Sequence, residues 1–316
     1  MTEEQQQLQP REQQQQQQLQ QGPKRIVAPW HDFVAGSIAG MAQVTVGQPL
    51  DVVRVRMQLD STGTPKFRGA WHCFTYTVRN GGPLELFRGM ASPLIGISAV
   101  NALLFAAYGR FKALLQQPGN EHAELSISRI ALAGAGAGAI NSVLASPVEL
   151  LKIRRQAQYG AAASTVGPVE IARQLISRHG IRRGLFWGFN ATVAREIPAY
   201  AAWYAAYETV KRQFAARLEP GQELPIWQLV VSGSTGGFFY WTCSYPLDVV
   251  KSQAQSWKEP PSSRSGVGYI GTTLSNIYKN GGAKALFRGY VPTVLRSLPA
   301  AGVTFAAYET VIKIIA

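Results

Sequence analysis

The stretch QPLDVVRVRMQ, residues 48–58, decides the organisation of the chain because it occurs in three related forms. SPVELLKIRRQ follows at 146–156 and YPLDVVKSQAQ at 245–255, so the prolines stand at positions 49, 147 and 246, about one hundred residues apart. Self-similarity at a fixed period indicates an array of one structural unit. We therefore predict a tail at 1–25 followed by three repeats at 26–118, 119–220 and 221–316.

Each repeat contains two long apolar segments, which predict helices. They are 30–58 and 89–116, 126–157 and 188–215, and 226–256 and 289–315. About 20 residues suffice to cross the hydrocarbon of a bilayer, and the Gly, Ala and Ser content suits helices that pack closely in lipid. A soluble helical bundle is the alternative, since the mean hydropathy is only −0.03. The scarcity of charge within these segments favours an all-α membrane protein with six transmembrane helices in three pseudo-threefold repeats.

A shorter amphipathic stretch lies between the two segments of each repeat, at 69–82, 167–180 and 269–282. Such helices usually lie in the membrane interface. Many of the basic residues fall on the same side as these stretches, and this pattern is typical of the positive-inside rule. The formal net charge of +13 therefore needs no nucleic-acid partner.

Other function classes find little support in the composition. The tail at 1–25 is rich in glutamine and predicts disorder; it has neither the apolar core of a signal peptide nor the arginine-rich composition of a cleavable presequence. Two cysteines and four histidines show no metal-ligand spacing, and no nucleophile with an evident base or phosphate-binding loop occurs. We expect no enzyme activity, no metal and no cofactor.

The repeated motif places an acid two residues after the proline and a base five residues after it. The sets are Asp51 with Arg54, Glu149 with Lys152, and Asp248 with Lys251. A proline bends a helix axis, so three such helices around a pseudo-threefold axis would bring their ends together. Each acid could then meet a base of a neighbouring repeat, which gives a ring of ion pairs at one end of a pore. In a single copy, ordinary interfacial charges would explain the pattern equally well.

The triplicated pattern Pro-x-[Asp/Glu]-x-x-[Lys/Arg], with its downstream glycine signature, resembles the mitochondrial carrier family across residues 30–316. The resemblance implies a multi-pass monomer of the mitochondrial inner membrane with a central cavity, alternating access and short helices on the matrix side. It implies a matrix gate of the pairs Asp51–Lys152, Glu149–Lys251 and Asp248–Arg54. It also implies that three glutamines brace these pairs, namely Gln58, Gln156 and Gln255.

The same resemblance implies a cytoplasmic gate near the end of the second helix of each repeat, with an aromatic residue, an acid and a base. The chain offers an incomplete set: Lys112 in the first repeat, Tyr207, Glu208 and Lys211 in the second, and Tyr308 and Glu309 in the third. Fewer pairs weaken this closure. We therefore expect the resting protein to be closed on the matrix side and open to the cytoplasm.

Substrate recognition is expected where the threefold repetition fails. At one register the three repeats have Gly96, Arg195 and Arg296, and at the next Ile97, Glu196 and Ser297. Ionisable groups within apolar segments indicate a functional site, although a structural Arg195–Glu196 network is the alternative. Gln43 and Asn141, six residues before their prolines, could add polar contacts.

Two arginines and one glutamate suit a zwitterion, since forked guanidinium donors bind carboxylates and a carboxylate accepts an ammonium. The stretch REIPAY at 195–200 resembles the substrate contact of the amino-acid, ornithine and carnitine/acylcarnitine branch of the family. An amino acid is the expected solute and carnitine or acylcarnitine the alternative. A non-transporting adaptor on the same scaffold is the alternative of another class.

A further resemblance concerns lipid binding. Phe-Arg-Gly sequences and glycines that open the short helices resemble the family's cardiolipin-binding ends; the residues are Gly69, Arg88, Gly89, Gly271, Arg288 and Gly289. A helix N-terminus beside a base is also a good phosphate site on physical grounds.

Overall fold

The computed structural model describes residues 29–60, 66–116, 124–157, 167–219, 222, 224–257 and 267–315, and within these ranges it is helical without strands. The tail predicted at 1–25 lies outside the described residues. The helices are α1 (Pro29–Leu59), α2 (Ala70–Gly81), a 3-10 helix (Pro83–Phe87), α3 (Ala91–Leu115), α4 (Ile127–Ala157), α5 (Pro168–Leu185), α6 (Phe189–Ala215), α7 (Ile226–Ser256), α8 (Gly268–Leu286) and α9 (Tyr290–Ile315).

The six long helices form a closed ring in the order α1, α3, α4, α6, α7, α9, with α9 packed against α1. The three short helices α2, α5 and α8 pack against the second halves of α1, α4 and α7. In the first repeat, for example, Val53 and Met57 of α1 form an apolar cluster with Cys73 of α2 and Leu86. The second and third repeats contain similar clusters. We call this end of the bundle the short-helix end.

The three motif prolines lie inside α1, α4 and α7, and each helix continues through its proline to its last residue. The acid and the base of each motif are therefore carried on the helical turns that follow the proline. Because the three helices share this register, all three acids and bases lie at the short-helix end. The positions of the long segments agree with the sequence prediction to within a few residues.

Glycines determine how closely the helices approach each other at two places. A Cβ at Gly138 of α4 would lie 2.6 Å from the carbonyl oxygen of Glu196, so the glycine lets α6 pack directly on α4. At the short-helix end, Gly89 and Gly289 have φ of 83° and 89°, values that L side chains rarely adopt. A Cβ at Gly289 would also lie 3.0 Å from the carbonyl oxygen of Arg54 in the first repeat.

Two of the described helical segments, Pro83–Leu115 and Ile127–Ala157, are long and apolar enough to span a membrane. The long helices that carry the repeated motif also bury polar and charged residues. In α7, for instance, Asp248, Lys251 and Gln255 are all buried. The prediction of six spans therefore rests on the repeat pattern as well as on hydropathy.

Candidate functional site

Three ion pairs join the second halves of α1, α4 and α7. The Nζ of Lys152 lies 2.6 Å from the Oδ2 of Asp51. Lys251 contacts Glu149 in the same way, and Arg54 contacts Asp248. Each acid is thus paired with the base of another repeat, in a closed circuit that links all three repeats. The acid and base spacing within one turn sets this geometry, because it directs both groups toward the axis of the bundle.

One of the three glutamines expected to brace these pairs does so. Gln58 donates to Oδ2 of Asp248 and accepts a hydrogen bond from Ser252 at 2.8 Å. Gln255 instead donates to the hydroxyl of Thr192, at 3.4 Å, and the side chain of Gln156 is buried without a hydrogen bond. The expectation is corrected for these two residues. Gln255 packs beside Gly188 just before α6, and Gln156 packs beside Gly89 just before α3.

The two arginines predicted to bind substrate each contact an acid of the ring of ion pairs. Arg195 pairs with Glu196, and its Nε lies 3.3 Å from Oδ1 of Asp248. The Nε of Arg296 lies 3.2 Å from Oδ1 of Asp51. Each contact joins adjacent helices of the ring: Arg195 of α6 reaches Asp248 of α7, and Arg296 of α9 reaches Asp51 of α1. A solute that binds either guanidinium would therefore compete with a gate carboxylate.

The first repeat has no arginine at this register because Gly96 occupies it. A Cβ at Gly96 would lie 2.6 Å from the side chain of Val148, so the glycine allows α3 to approach α4. The neighbouring acid Glu149 consequently receives no second cation from α3, and 29% of its side chain remains exposed, against 6% for Asp51 and 1% for Asp248. The ring of acids is thus unequally accessible.

A cavity of about 460 Å³ lies between α7 and α9 above the ion pairs. Its lining combines aromatic rings, small residues and neutral polar groups with one charged side chain, and includes Gln43, Asn101, Tyr200, Trp203, Tyr240, Trp241, Arg296, Ser297 and Thr304. Three predicted substrate residues, Gln43, Arg296 and Ser297, therefore share this cavity. Arg195 and Glu196 are 2% exposed and lie among the ion pairs instead.

Three other predicted substrate residues are absent from the described lining of this cavity. Gly96 contacts α4 as described above, and the side chain of Ile97 packs against Gly40 of α1. The side chain of Asn141 is buried, and its Oδ1 has no hydrogen-bond partner. The close approach of α3 to both α1 and α4 places Gly96 and Ile97 at helix interfaces, and their contact with a substrate stays a prediction.

The structure also adds two residues that the sequence analysis missed. Trp241 has three guanidinium groups within 6 Å of its ring centroid: Arg54 at 4.1 Å, Arg195 at 5.1 Å and Arg296 at 5.8 Å. Such distances are typical of cation–π contacts. Its neighbour Tyr240 holds the same register before Pro246 as Gln43 and Asn141 hold before their prolines. This shared register is the signal from which the sequence could have identified Tyr240 as a candidate site residue.

The opposite end of the bundle has no closed ring among the described side chains. Glu208 accepts from Arg212 of its own helix at 3.0 Å and lies 3.8 Å from Lys211. Lys112 is exposed, and Tyr207 stacks on Trp203 with ring centroids 5.3 Å apart. The side chains of Tyr308 and Glu309 lie outside the described residues. The described bundle is thus closed by ion pairs at the short-helix end alone.

The residues expected to bind lipid flank clefts at the short-helix end. One cleft of about 340 Å³ lies between the start of α3 and the start of α5 and is lined by Arg88, Gly89, Arg155 and Gly167, among others. Arg88 pairs with Glu85, and Arg288 pairs with Asp60 at 2.7 Å. Gly69 and Gly271 leave open space where a Cβ would lie.

A triplicated helical bundle whose central helices are joined by ion pairs at one end, beneath a cavity with charged and aromatic groups, is the arrangement of a membrane solute carrier. The family model described as "Mitochondrial carrier protein" matches residues 27–119, 123–218 and 222–316. The chain belongs to this family, whose members are solute carriers of mitochondria.

Curated relatives match over nearly their full length. Mitochondrial substrate carrier family protein S of Dictyostelium discoideum is 39% identical over 90% of this chain and 97% of its own. The mitochondrial carnitine/acylcarnitine carrier-like protein of Arabidopsis thaliana is 38% identical over 89% and 96%. The mitochondrial basic amino acids transporter of Bos taurus is 36% identical over 89% and 91%.

Proposed function

We propose that this protein carries a small zwitterionic solute, most simply an amino acid, across the mitochondrial inner membrane. The observation that carries the proposal is the pairing of Arg195 and Arg296 with the gate acids Asp248 and Asp51. Six spans, a matrix location of the short-helix end and a monomeric state complete the proposal, and the triplicated fold supports them.

The carboxylate of the solute binds Arg296, the one charged group in the described lining of the cavity. A carboxylate within reach of this fork competes with Asp51 for the same donors. Binding thereby weakens the contact of Arg296 with the first acid of the ring. Since a ligand shifts a conformational equilibrium only through its different affinities for the two states, this competition is the physical link between binding and opening.

The ammonium of the solute binds on the side of the second repeat. Glu149 is the most exposed of the three gate acids, and the Oε2 of Glu196 is buried without a hydrogen-bond partner. Either oxygen can accept a hydrogen bond from an ammonium. Both acids lie among the ion pairs, and no acid is part of the described cavity lining. The one ammonium of a neutral or acidic amino acid can extend to these acids, whereas a side-chain ammonium that stayed in the cavity would meet no acid of the described lining. Neutral and acidic amino acids therefore fit this lining better than basic ones.

Carnitine is the second candidate, and the aromatic wall favours it. Tyr200, Trp203, Tyr240 and Trp241 all line the cavity. Aromatic faces attract quaternary ammonium groups. One relative is named a carnitine/acylcarnitine carrier-like protein and another a basic amino acids transporter, so both solute classes occur among related chains.

We also assign an anionic diphosphatidyl lipid, cardiolipin, to the clefts at the short-helix end. The cleft beside Gly89 lies between the N-termini of two helices and contains Arg155. Backbone N–H groups at helix N-termini favour phosphate. Arg88 and Arg288, being paired with acids, position the helix ends rather than contact the lipid first. Gly69 and Gly271 leave room at the corresponding starts of α2 and α8.

Exchange in liposomes tests the solute assignment. Vesicles loaded with unlabelled solute are offered labelled glutamate, neutral amino acids, lysine, ornithine, carnitine and ATP in separate reactions. We expect saturable exchange of a neutral or acidic amino acid that is lost in Glu196→Gln and retained in Arg173→Gln, a change on the exposed face of α5. Preference for carnitine would select the second candidate. Exchange of none of these solutes by well-folded protein would favour the adaptor.

A further inference from the structure

A second set of contacts lies just beyond the ion pairs, at the position seven residues after each motif proline. Arg56 donates from Nε to the carbonyl oxygen of Gln156 at 3.4 Å. Arg154 donates to the carbonyl oxygen of Trp257 at 2.8 Å. Gln253 donates to the carbonyl oxygen of Gln58 at 3.4 Å. Arg56, Arg154 and Gln253 therefore reach the C-terminal ends of α4, α7 and α1, respectively. Each of these helices belongs to the next repeat, so the three bonds close a circuit around the axis.

The acceptors are chemically alike because all three lie at helix C-termini. Gln58 and Gln156 are in the last turns of α1 and α4, and Trp257 directly follows α7. The last carbonyls of a helix have no intrahelical donor and carry the negative end of the helix dipole. A cation is thus the favoured donor at such a site, and arginine provides it at two of the three positions.

The first two donors are held in place by further contacts. Arg56 is 2% exposed, and it also binds Glu85 at 2.9 Å and Thr77 at 2.8 Å. Arg154 lies over the ring of Trp187 at 4.1 Å. These contacts tie each donor to the turn before the next transmembrane helix of its own repeat. The joints from repeat one to two and from repeat two to three are therefore reinforced.

The third joint differs from the first two in charge. Gln253 is neutral, and the register of Glu85, four residues before the left-handed glycine, is occupied by Ala285. The third repeat has thus lost both the cation and its acid. In the first repeat, Glu85 occupies the space that a side chain at position 81 would fill, because residue 81 is glycine. The third repeat has Gly281 at the same register, so space for an acid at position 285 remains.

We propose that Arg56, Arg154 and Gln253 form a second closure ring at the short-helix end, and that Gln253 makes the joint between the third and first repeats the one that opens most readily. These are positioning residues, because they act on the helix ends that carry the gate acids and do not line the cavity. The inference rests on the proposed alternating access of the carrier. It adds which seam of the gate is weakest and which side chain makes it so.

Rebuilding the first joint at the third position tests the proposal. The variant Gln253→Arg with Ala285→Glu reproduces the arginine and acid of the first repeat. A stronger closure raises the barrier to opening, so we expect about fivefold lower maximal exchange rate with KM within about twofold of the parent, and higher thermal stability in detergent. Gln253→Leu, which removes the bond at similar volume, should raise the maximal rate and lower thermal stability.

Asn280→Arg is the matched control, since it adds a positive charge at an exposed position of the same end. An unchanged maximal rate in the double variant, a change in KM instead of maximal rate, or an equal loss in Asn280→Arg would overturn the proposal. If the parent exchanges no solute, the proposed function fails separately. The order of thermal stabilities then still decides whether the three contacts form the ring.

Discussion

Arg296 of α9 and Asp51 of α1 lie 3.2 Å apart, Nε to Oδ1, while Asp51 also holds Lys152 at 2.6 Å. One carboxylate therefore contacts Arg296 of the cavity and Lys152 of the closure, and Arg54 of its own helix lies 3.8 Å away. An arginine is suited to this shared position because its fork can bind a second carboxylate while keeping its charge. Under the proposed function, the contact places solute recognition and closure on the same buried group.

Arg296→Lys should impair exchange without unfolding the protein. The charge is kept, but the forked geometry that holds a carboxylate is lost, which corresponds to a loss of about 10–100-fold in kcat/KM. Exchange kinetics in liposomes measure it, with thermal stability recorded in parallel. Arg173→Gln, which changes an exposed arginine on α5, is the control. Parent-like exchange in Arg296→Lys would show that this side chain does not bind the solute carboxylate.

Asp248→Asn should destabilise the protein more than Glu149→Gln. Asp248 is 1% exposed at the side chain and contacts Arg54, Gln58 and Arg195. Removing its charge leaves Arg54 with only Asp51 at 3.8 Å and Arg195 with only Glu196, and weakening these buried pairs should cost up to about 3–5 kcal/mol.

Glu149 is the matched comparison, because its side chain is 29% exposed and pairs with Lys251. Solvent can compensate part of the loss there, so the cost should be smaller. Thermal unfolding in detergent compares the two variants directly. Equal destabilisation by both would contradict the unequal roles of the acids.

The thiol of Cys73 should be unreactive in the folded protein. Cys73 of α2 is buried beneath α1, and burial raises the pKa of its thiol from 9.0 to about 11, whereas Cys243 is exposed. The thiolate is the reactive form. Cys243 lies within α7, a proposed span, so its exposed thiol faces lipid or detergent and gives no comparison. A maleimide at neutral pH should leave Cys73 unlabelled in the folded protein in detergent and label it only after unfolding.

The same shift has a consequence for stability. Because the folded protein holds the thiol of Cys73 in its neutral form, this contribution is present below about pH 9 and is lost as the pH rises through about 11. Cys73→Ser should flatten the alkaline limb of a stability profile. An unchanged alkaline limb would argue against the burial of this thiol.

Gly289→Ala should cost stability, and Gly69→Ala should not. Gly289 has a φ of 89°, and a Cβ there would lie 3.0 Å from the carbonyl oxygen of Arg54. Both strain and contact oppose a side chain, with an expected cost of about 1–3 kcal/mol. Gly69 has an extended φ of 173° and open space around a Cβ. Thermal unfolding of the two variants is the measurement, and similar melting temperatures would contradict the close approach of the first and third repeats.

The sequence was sufficient to predict the repeats and the long helices, because both depend on local signals that recur at a fixed period. Threefold repetition also predicted that Asp51, Glu149 and Asp248 would each meet a base of another repeat, while the particular partners were implied by the family resemblance. The direction in which a side chain faces could not be predicted in the same way, because it depends on how each helix is rotated. Gly96, Ile97, Gln156 and Gln255 all lie at the expected depth, but they face neighbouring helices.

The aromatic contribution was missed for a related reason. Tyr240 and Trp241 look like packing residues in a glycine-rich helix, and nothing local shows that three arginines from α1, α6 and α9 converge on Trp241. That convergence depends on how the three helices are rotated around the axis. Only the register shared with Gln43 and Asn141 hinted at it.

The three ion pairs form a closed circuit in which the repeats hold equivalent positions. The acid of repeat one meets the base of repeat two, that of repeat two meets the base of repeat three, and that of repeat three meets the base of repeat one. Helix α9 already packs beside α1. The ion pairs therefore do not depend on which repeat comes first in the polypeptide. A circular permutant could begin at the second repeat, with α9 joined to α1 by a linker. It would form the same three ion pairs although its repeats are synthesised in a different order.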